Sequence, residues 1–278
     1  MVRRLVKRTS GHRGGGRTLA WAGAALLPLA LAVGVWQLVT TTWLQRSRVY
    51  PTPVLVWNSL RRIATNQAVL GSAYADVAST LERLFIAFAI AFVVGSLLGV
   101  LAGRYEWLFD LLQAPIWAFL AIPAIVWVFI FAVAIGLSDT VPIAAVVALV
   151  APGVLLNVSE GTKSVSADLR MMAASYRVRG WRLVWDVYLP ALVPYLLGAA
   201  RVAFALGVKI IPVAEVIGLA SGIGYELNYW YAQLLVAPIV AWGVVLIVVG
   251  VAMDYLFFGP LERRLTRWQG SHDTRKGS

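Results

Sequence analysis

The chain has 278 residues, 60% of them hydrophobic and 13% charged, with a mean hydropathy of +0.78; this balance excludes an ordinary water-soluble domain and places the protein in a membrane. It has no cysteine, which excludes disulfides and thiolate metal sites, and its two histidines, His12 and His272, lie in polar tails, leaving metal chemistry almost no ligands within the apolar part. The net charge of +11 is gathered at the two ends and in one internal segment instead of on a polar module, which argues against nucleic acid as a partner.

Arg3, Arg4, Lys7, Arg8, Arg13 and Arg17 make residues 1–19 a basic tail. The apolar run 20–40 is long enough to span a bilayer, and no small-residue cleavage site clearly ends it, so it reads as a retained first transmembrane helix. Residues 41–78 form a connecting segment. Further apolar runs at 79–102, 110–136, 141–159, 191–219 and 233–257 bring the predicted crossings to six, with residues 79–257 as a core of five helices and 258–278 as a second basic tail. The third and fifth runs are longer than one crossing needs and contain Pro115, Pro123 and Pro212, which predicts tilting or kinking there. Trp43 and Tyr50 near the end of the first span, and Tyr225, Tyr229, Trp230 and Tyr231 in the last outer connection, suit a membrane–water interface. A second reading of the latter group is contact with an external binding protein.

With the N-terminus in the cytoplasm, the inside segments hold the six cations of the tail, Arg104, Lys163, Arg170, Arg177, Arg179, Arg182, Arg263, Arg264, Arg267, Arg275 and Lys276. The outside segments hold Arg46, Arg48, Arg61 and Arg62. The positive-inside rule therefore predicts a multi-pass protein of the cell membrane with both termini cytoplasmic.

In this orientation the loop 160–189, between the fourth and fifth spans, faces the cytoplasm. Val165, Leu169, Met172, Ala173 and Tyr176 recur at the spacing of one helical face, which predicts a helix lying against its own bundle. Ala167, Met171, Ala174 and Val178 form a second apolar stripe, flanked by Arg170 and Arg177, that looks away from it. Arg179-Gly180 breaks the run, Trp181 to Tyr188 suit a second short helix, and Pro190 sits where the first turn of the next span tolerates a missing N–H. A basic amphipathic helix of this kind serves either to lie on lipid headgroups or to dock a partner, and its periodicity does not choose between the two.

The order of these features resembles the permease subunits of type I ATP-binding-cassette importers. That family carries in this loop a Glu-Ala-Ala motif, three variable residues, a Gly, and a stretch ending in Ile-x-Leu-Pro. Aligned on Leu189-Pro190, Val187 takes the Ile place and residues 169–177, LRMMAASYR, cover the start. Ser79-Thr80-Leu81-Glu82-Arg83, Ile122-Pro123 with Gly136, Pro194, Gly198, Arg201, Ala214-Glu215, Ser221-Gly222-Ile223-Gly224-Tyr225, Asp254, Glu262-Arg263-Arg264 and Arg267-Trp268 extend the likeness over about residues 50 to 268. The branch it looks most like transports sulfonates, taurine, nitrate and related small solutes.

The resemblance implies an all-α membrane protein of six transmembrane helices with a cytoplasmic coupling-helix loop between helices 4 and 5. It implies a role as the membrane subunit of an importer working by alternating access, with cytoplasmic ATP-binding subunits, a second permease subunit, an extracytoplasmic solute-binding protein and the lipid bilayer as partners. In that family the loop inserts into a groove on the ATPase subunit and passes on its movement. On this chain the role falls to Met171, Ala174, Tyr176, Arg177, Val178, Gly180, Trp181, Leu189 and Pro190. Two positions depart from the pattern: the family's Glu is Met171 here, and its Gly is Arg177. The first change removes an anionic partner for ATPase cations, and the second resists a left-handed turn. Pairing with a different permease whose motif is intact and pairing with a second copy of this chain both remain open.

Arg83, Arg201, Lys209, Glu215 and Asp254 lie within or at the edge of apolar runs, where a charge faces protein or a water-filled path. Arg201 and Glu215 are close to four helical turns apart, on one face of a straight helix. Lys209 stands where the family tends to be apolar or aromatic. It reads either as a positive lining for an anionic solute or as half of an ion pair. Arg201, Lys209 and Glu215 are thus the candidate translocation or gating residues. An ion-coupled secondary carrier or channel using the same three is the alternative.

No catalytic constellation is present: the spans hold no Ser/His pair, paired aspartates or His-Glu-x-x-His helix, and Gly14-Gly15-Gly16-Arg17 lacks the spacing and lysine of a phosphate loop. The chain is expected to carry no cofactor and no enzyme site, with ATP and Mg on the partner ATPase subunits.

Overall fold

The computed structural model describes residues 28, 31–42, 50–67, 71–178 and 180–265, so both basic tails and part of the predicted first span lie outside it. The secondary structure is helical. In chain order the helices are α1 (Leu31–Thr42), α2 (Pro53–Ala64), α3 (Ala73–Arg104), α4 (Glu106–Ala121), α5 (Ala124–Ile135), α6 (Thr140–Lys163), α7 (Ala167–Ser175), α8 (Trp181–Leu183), α9 (Leu189–Val216), α10 (Ile223–Ala232), α11 (Val236–Met253) and α12 (Gly259–Leu265). A π-helical turn, Val184–Tyr188, leads into α9, and another, Asp254–Phe258, joins α11 to α12.

Local chemistry explains several boundaries. Thr52 caps α2 by accepting from the Leu55 N–H, with Pro53 at the first helical position, and Ser72 caps α3 by accepting from the Ala75 N–H. Asp139 stands at the N-cap of α6 without capping it, because its carboxylate reaches Arg83 instead.

Among the described residues, four helices are long and apolar enough to cross a membrane: Ala73–Arg104, Thr140–Lys163, Trp185–Val216 and Val236–Glu262. The third predicted span is not one rod. Its two halves, α4 and α5, meet at 98° and make a fifth crossing only if the bent pair is taken as one span. Pro123 is the cause, since it has no N–H for the Phe119 carbonyl four residues earlier. The Trp127 indole N–H serves that carbonyl instead at 3.3 Å, and the Phe119 and Trp127 rings stack 4.6 Å apart across the bend. The fifth predicted span behaves differently: α9 stays one continuous helix with Pro194 and Pro212 inside it.

Helices α3, α6 and α9 form the centre. A row of small residues makes this possible: Ala87 and Ala91 are fully buried, and Gly95, Gly99 and Gly103 continue at every fourth position. Val154, Val158 and Thr162 of α6 fill the row, so closely that a Cβ on Gly95 would lie 2.7 Å from the Ala151 carbonyl oxygen and one on Gly103 2.4 Å from Thr162 Cβ. Lipid gives no hydrophobic drive to helix association, so this close approach is what van der Waals packing between α3 and α6 requires. Leu84, Val146, Val150, Ala203 and Phe204 complete the shared core.

Because α3 and α6 run one way and α9 the other, the chain gathers two sets of elements at opposite ends. One end carries α2, α10, the start of α3 and the loop 217–222. The other carries the end of α6, α7, α8, the turn before α9 and α12.

Candidate functional site

Helix α7 begins at the end of α6 and stops after nine residues. The chain then makes a left-handed turn in which Arg177 has φ +55° and the Val178 N–H bonds back to the Ala173 carbonyl at 2.9 Å, the hydrogen bond of a Schellman stop. Gly180 is left-handed as well, with φ +62°. The turn that was expected to resist Arg177 is therefore formed with it, at a cost of about 1 kcal/mol for a residue with a Cβ in that conformation. Replacing Arg177 by glycine should slow backbone hydrogen exchange over residues 167–180 by roughly fivefold; unchanged or faster exchange would contradict a strained turn.

The faces of α7 divide differently from the expectation. Val165 and Ala173 are buried, but Leu169, Met172 and Tyr176, expected against the bundle, are exposed together with Met171, and Tyr176 is 76% accessible. Val178, expected outward, is half-buried. The reason is that the helix touches the bundle by one corner only. Val165 packs in a small cluster with Tyr188 and Leu192, which also anchors Val187 and Leu196, and Arg104 donates to the Tyr188 hydroxyl at 3.2 Å. Lys163 lies over the Phe109 ring at 3.6 Å. The result is an exposed patch of two methionines, a leucine and a tyrosine on a firmly seated base. Leu189 and Pro190 form the first turn of α9; the side chains of Ala174 and Trp181 lie outside the described set.

The three candidate pathway residues do not form one line. Glu215 is fully buried near the α10 end, where its carboxylate accepts from Arg83 Nη1 at 2.6 Å, from Thr80 Oγ1 at 2.9 and 3.0 Å and from the Gly224 N–H at 2.9 Å. Arg83 also donates to the Ser221 carbonyl at 3.0 Å, to Ser221 Oγ at 2.7 Å and to Asp139 at 2.7 Å. Thr80 Oγ1 accepts in turn from the Ile223 N–H, and Asp76 accepts from the Gly222 N–H. Gly222 and Gly224 are needed for this contact: a Cβ on either would fall within 2.5 Å of Glu215, and one on Gly224 2.2 Å from the Pro212 carbonyl oxygen. The arrangement is a pin that fastens the loop 217–222 to α3, α6 and α9.

Arg201 faces elsewhere on α9. It pairs with Asp254, at the start of the π-helical turn, and with Glu262 at 3.3 Å. About four turns along one helix put Arg201 and Glu215 about 21 Å apart, so sharing a face did not bring them together. Arg201 and Lys209 instead both line a cavity of about 610 Å³ between α9 and α11, whose walls include Phe204, Val208, Val213, Leu246, Ile247 and Asp254. Lys209 is exposed, and among the described residues no carboxylate lies within 4.0 Å of it. The intrachain ion pair considered for it is absent there.

The sequence reading singled out Arg83 and Glu215 but not Asp76 or Asp139, which complete their surroundings. The available signals were Asp76, Thr80 and Arg83 recurring at helical spacing and the Gly222-Ile223-Gly224 pattern. No group of His, Asp and Glu residues that could hold a metal ion occurs among the described residues.

The family described as binding-protein-dependent transport system inner membrane component matches residues 91–267. The taurine transport system permease protein TauC of Escherichia coli is 25% identical over 243 residues, covering 87% of this chain and 88% of that protein. The bicarbonate transport system permease protein CmpB of Synechococcus elongatus is 28% identical over 259 residues, covering 87% and 90%. The nitrate import permease protein NrtB of a Synechocystis strain is 24% identical over 179 residues, covering 64% and 65%.

Proposed function

The chain belongs to the family of binding-protein-dependent transport system inner membrane components, in the branch of taurine, sulfonate, nitrate and bicarbonate permeases, and from that premise we propose that it forms the solute path of an ATP-driven importer. The observation that carries the reading is the patch of Leu169, Met171, Met172 and Tyr176, left open on a short helix whose base is buried. A cytoplasmic ATP-binding subunit covers that patch, and its nucleotide-driven movement passes through the α7 base and the Val184–Tyr188 turn into α9. ATP and Mg sit on that subunit, and an extracytoplasmic solute-binding protein delivers the solute to the α10 end, with both termini of this chain in the cytoplasm. The second permease subunit is either another copy or a different chain with the glutamate that Met171 replaces. A photo-crosslinker placed at Tyr176 in the assembled complex tests the docking. It should trap the ATP-binding subunit, in a yield that changes with ATP, and an adduct only to lipid would refute the assignment.

The solute path runs along the α9–α11 cavity, where Lys209 supplies a positive charge without a carboxylate partner in the described residues. That supports a small anionic solute, since an unpaired cation facing a membrane cavity is costly unless something anionic visits it. Lys209→Met should weaken uptake of an anionic solute about tenfold at limiting concentration, roughly the loss of one charge-assisted contact. Unaltered uptake and selectivity would remove Lys209 from the path. The ion-coupled carrier is disfavoured because Glu215 is pinned in its own buried network, away from Arg201 and Lys209.

A further inference from the structure

Glu226 lies on α10, outside the long spans, and is 1% exposed. Its Oε2 accepts from the Trp230 indole N–H at 2.8 Å, whereas its Oε1 has no hydrogen-bond partner. A buried carboxylate oxygen without a partner is costly when ionised and tolerable when it carries a proton. The carboxyl borders a small cavity of about 40 Å³ lined by Ser59, Arg62, Ile63 and Gln67 of α2 and its following turn and by Pro238 and Trp242 of α11, enough for about one water molecule.

The charged groups facing it are few. Asp76 of α3 is 9% exposed and lies near enough to act on it electrostatically. Arg62 of α2 is exposed at the cavity wall. The cavity residues of α11, Pro238 and Trp242, do not titrate. Burial pushes the Glu226 carboxyl above the ordinary carboxylate range; the Trp230 indole N–H opposes this, and the Asp76 charge adds to it.

We propose that Glu226 is a proton-binding site that latches α2 onto the α10 end of the bundle: protonated, it rests against the α2 side of the cavity, and ionised, it draws in water or Arg62, which loosens α2. The latch bears on the loop 217–222, because Asp76, the second acid of the pair, holds the Gly222 N–H at 2.9 Å. It is independent of which solute is carried and of what docks on α7.

The sign follows from linkage. A carboxyl whose value is raised in the closed state stabilises that state fully below its ordinary value of about 4.3, and the stabilisation is lost as pH rises through the raised value. Hydrogen exchange of the α2 backbone in the purified full chain, corrected for the intrinsic pH dependence of exchange, tests this. Protection over residues 53–67 should fall by up to about tenfold per pH unit within that window and level off above it. Glu226→Gln, which keeps the shape and fixes the neutral form, should abolish the pH dependence. Arg62→Gln, on the exposed side of the cavity, should move the midpoint to higher pH by removing the cation. Protection that is independent of pH in the wild type, an unchanged profile in Glu226→Gln, or a midpoint unmoved or lowered in Arg62→Gln would each overturn the proposal.

Discussion

Arg83→Met is expected to cost about 3–5 kcal/mol and to leave little folded protein in detergent, because it strands the Glu215 carboxylate in the interior without its cation. The side chain of Arg83 is 6% exposed and that of Glu215 fully buried, so water cannot replace the lost partner. The same change also frees the Ser221 carbonyl and hydroxyl and the Asp139 carboxylate. Of these, Asp139 is 73% exposed and loses little. Glu215→Gln should be milder, since an amide keeps an acceptor for Thr80 or Gly224 while giving up the charge. Combining Arg83→Met with Glu215→Gln should restore part of the loss, as removing both charges of a buried pair is far less damaging than removing one. The unfolding midpoint of the purified chain reads all three. A midpoint for Arg83→Met within a degree or two of the wild type would show that Glu215 does not depend on this cation.

The second large effect concerns function with the fold preserved. Met171 and Tyr176 are 60% and 76% exposed, so replacing both by alanine removes almost no packing within the chain. If an ATP-binding subunit covers them, they are the anchors of that interface, and truncating a well-packed aromatic or methionine anchor costs about 2 kcal/mol or more. ATP-driven uptake by the complex, and the part of ATP hydrolysis that responds to loaded binding protein, should both fall at least about tenfold. The unfolding midpoint of the isolated chain should not move. Uptake at the wild-type level would mean that this patch meets lipid headgroups and nothing else. A lowered midpoint would mean that the two side chains pack in a way their exposure denies.

Much of the helical framework could be read from apolar runs. The runs at 79–102, 141–159, 191–219 and 233–257 each fall on a helix long enough to cross, because a continuous stretch of apolar residues has no other satisfied backbone geometry in lipid. The break at Ile122-Pro123 was visible only as a proline. Its 98° angle depends on Trp127 serving the Phe119 carbonyl, a contact that no local propensity encodes. Gly95, Gly99 and Gly103 stood in plain view at four-residue spacing. A glycine inside a helix reads first as a weak helix former, and its use appears only when Val154, Val158 and Thr162 are set against it.

The candidate site was legible in the same uneven way. Arg83 and Glu215 announced themselves as charges in apolar runs, but 132 positions separate them, and sequence spacing alone could not join them. Arg201 and Glu215 were joined by helical periodicity and belong to different surroundings. The exposed side of α7 was partly misassigned, because a nine-residue helix can rest on one corner, and periodicity assumes that a whole face is buried. Glu226 went unnoticed because an acid beside Tyr225, Tyr229 and Trp230 reads as part of a wet outer connection. It faces a cavity whose walls come from α11 and from α2, the latter more than 150 residues earlier in the chain.

The proposed importer takes its energy from ATP and not from an ion gradient. The measurement is solute uptake into proteoliposomes holding the assembled complex, with loaded binding protein outside and ATP enclosed. Uptake should persist when ionophores collapse the membrane potential and the ion gradients, and should stop when a non-hydrolysable analogue replaces ATP. Uptake that follows an imposed ion gradient and ignores the enclosed nucleotide would contradict it.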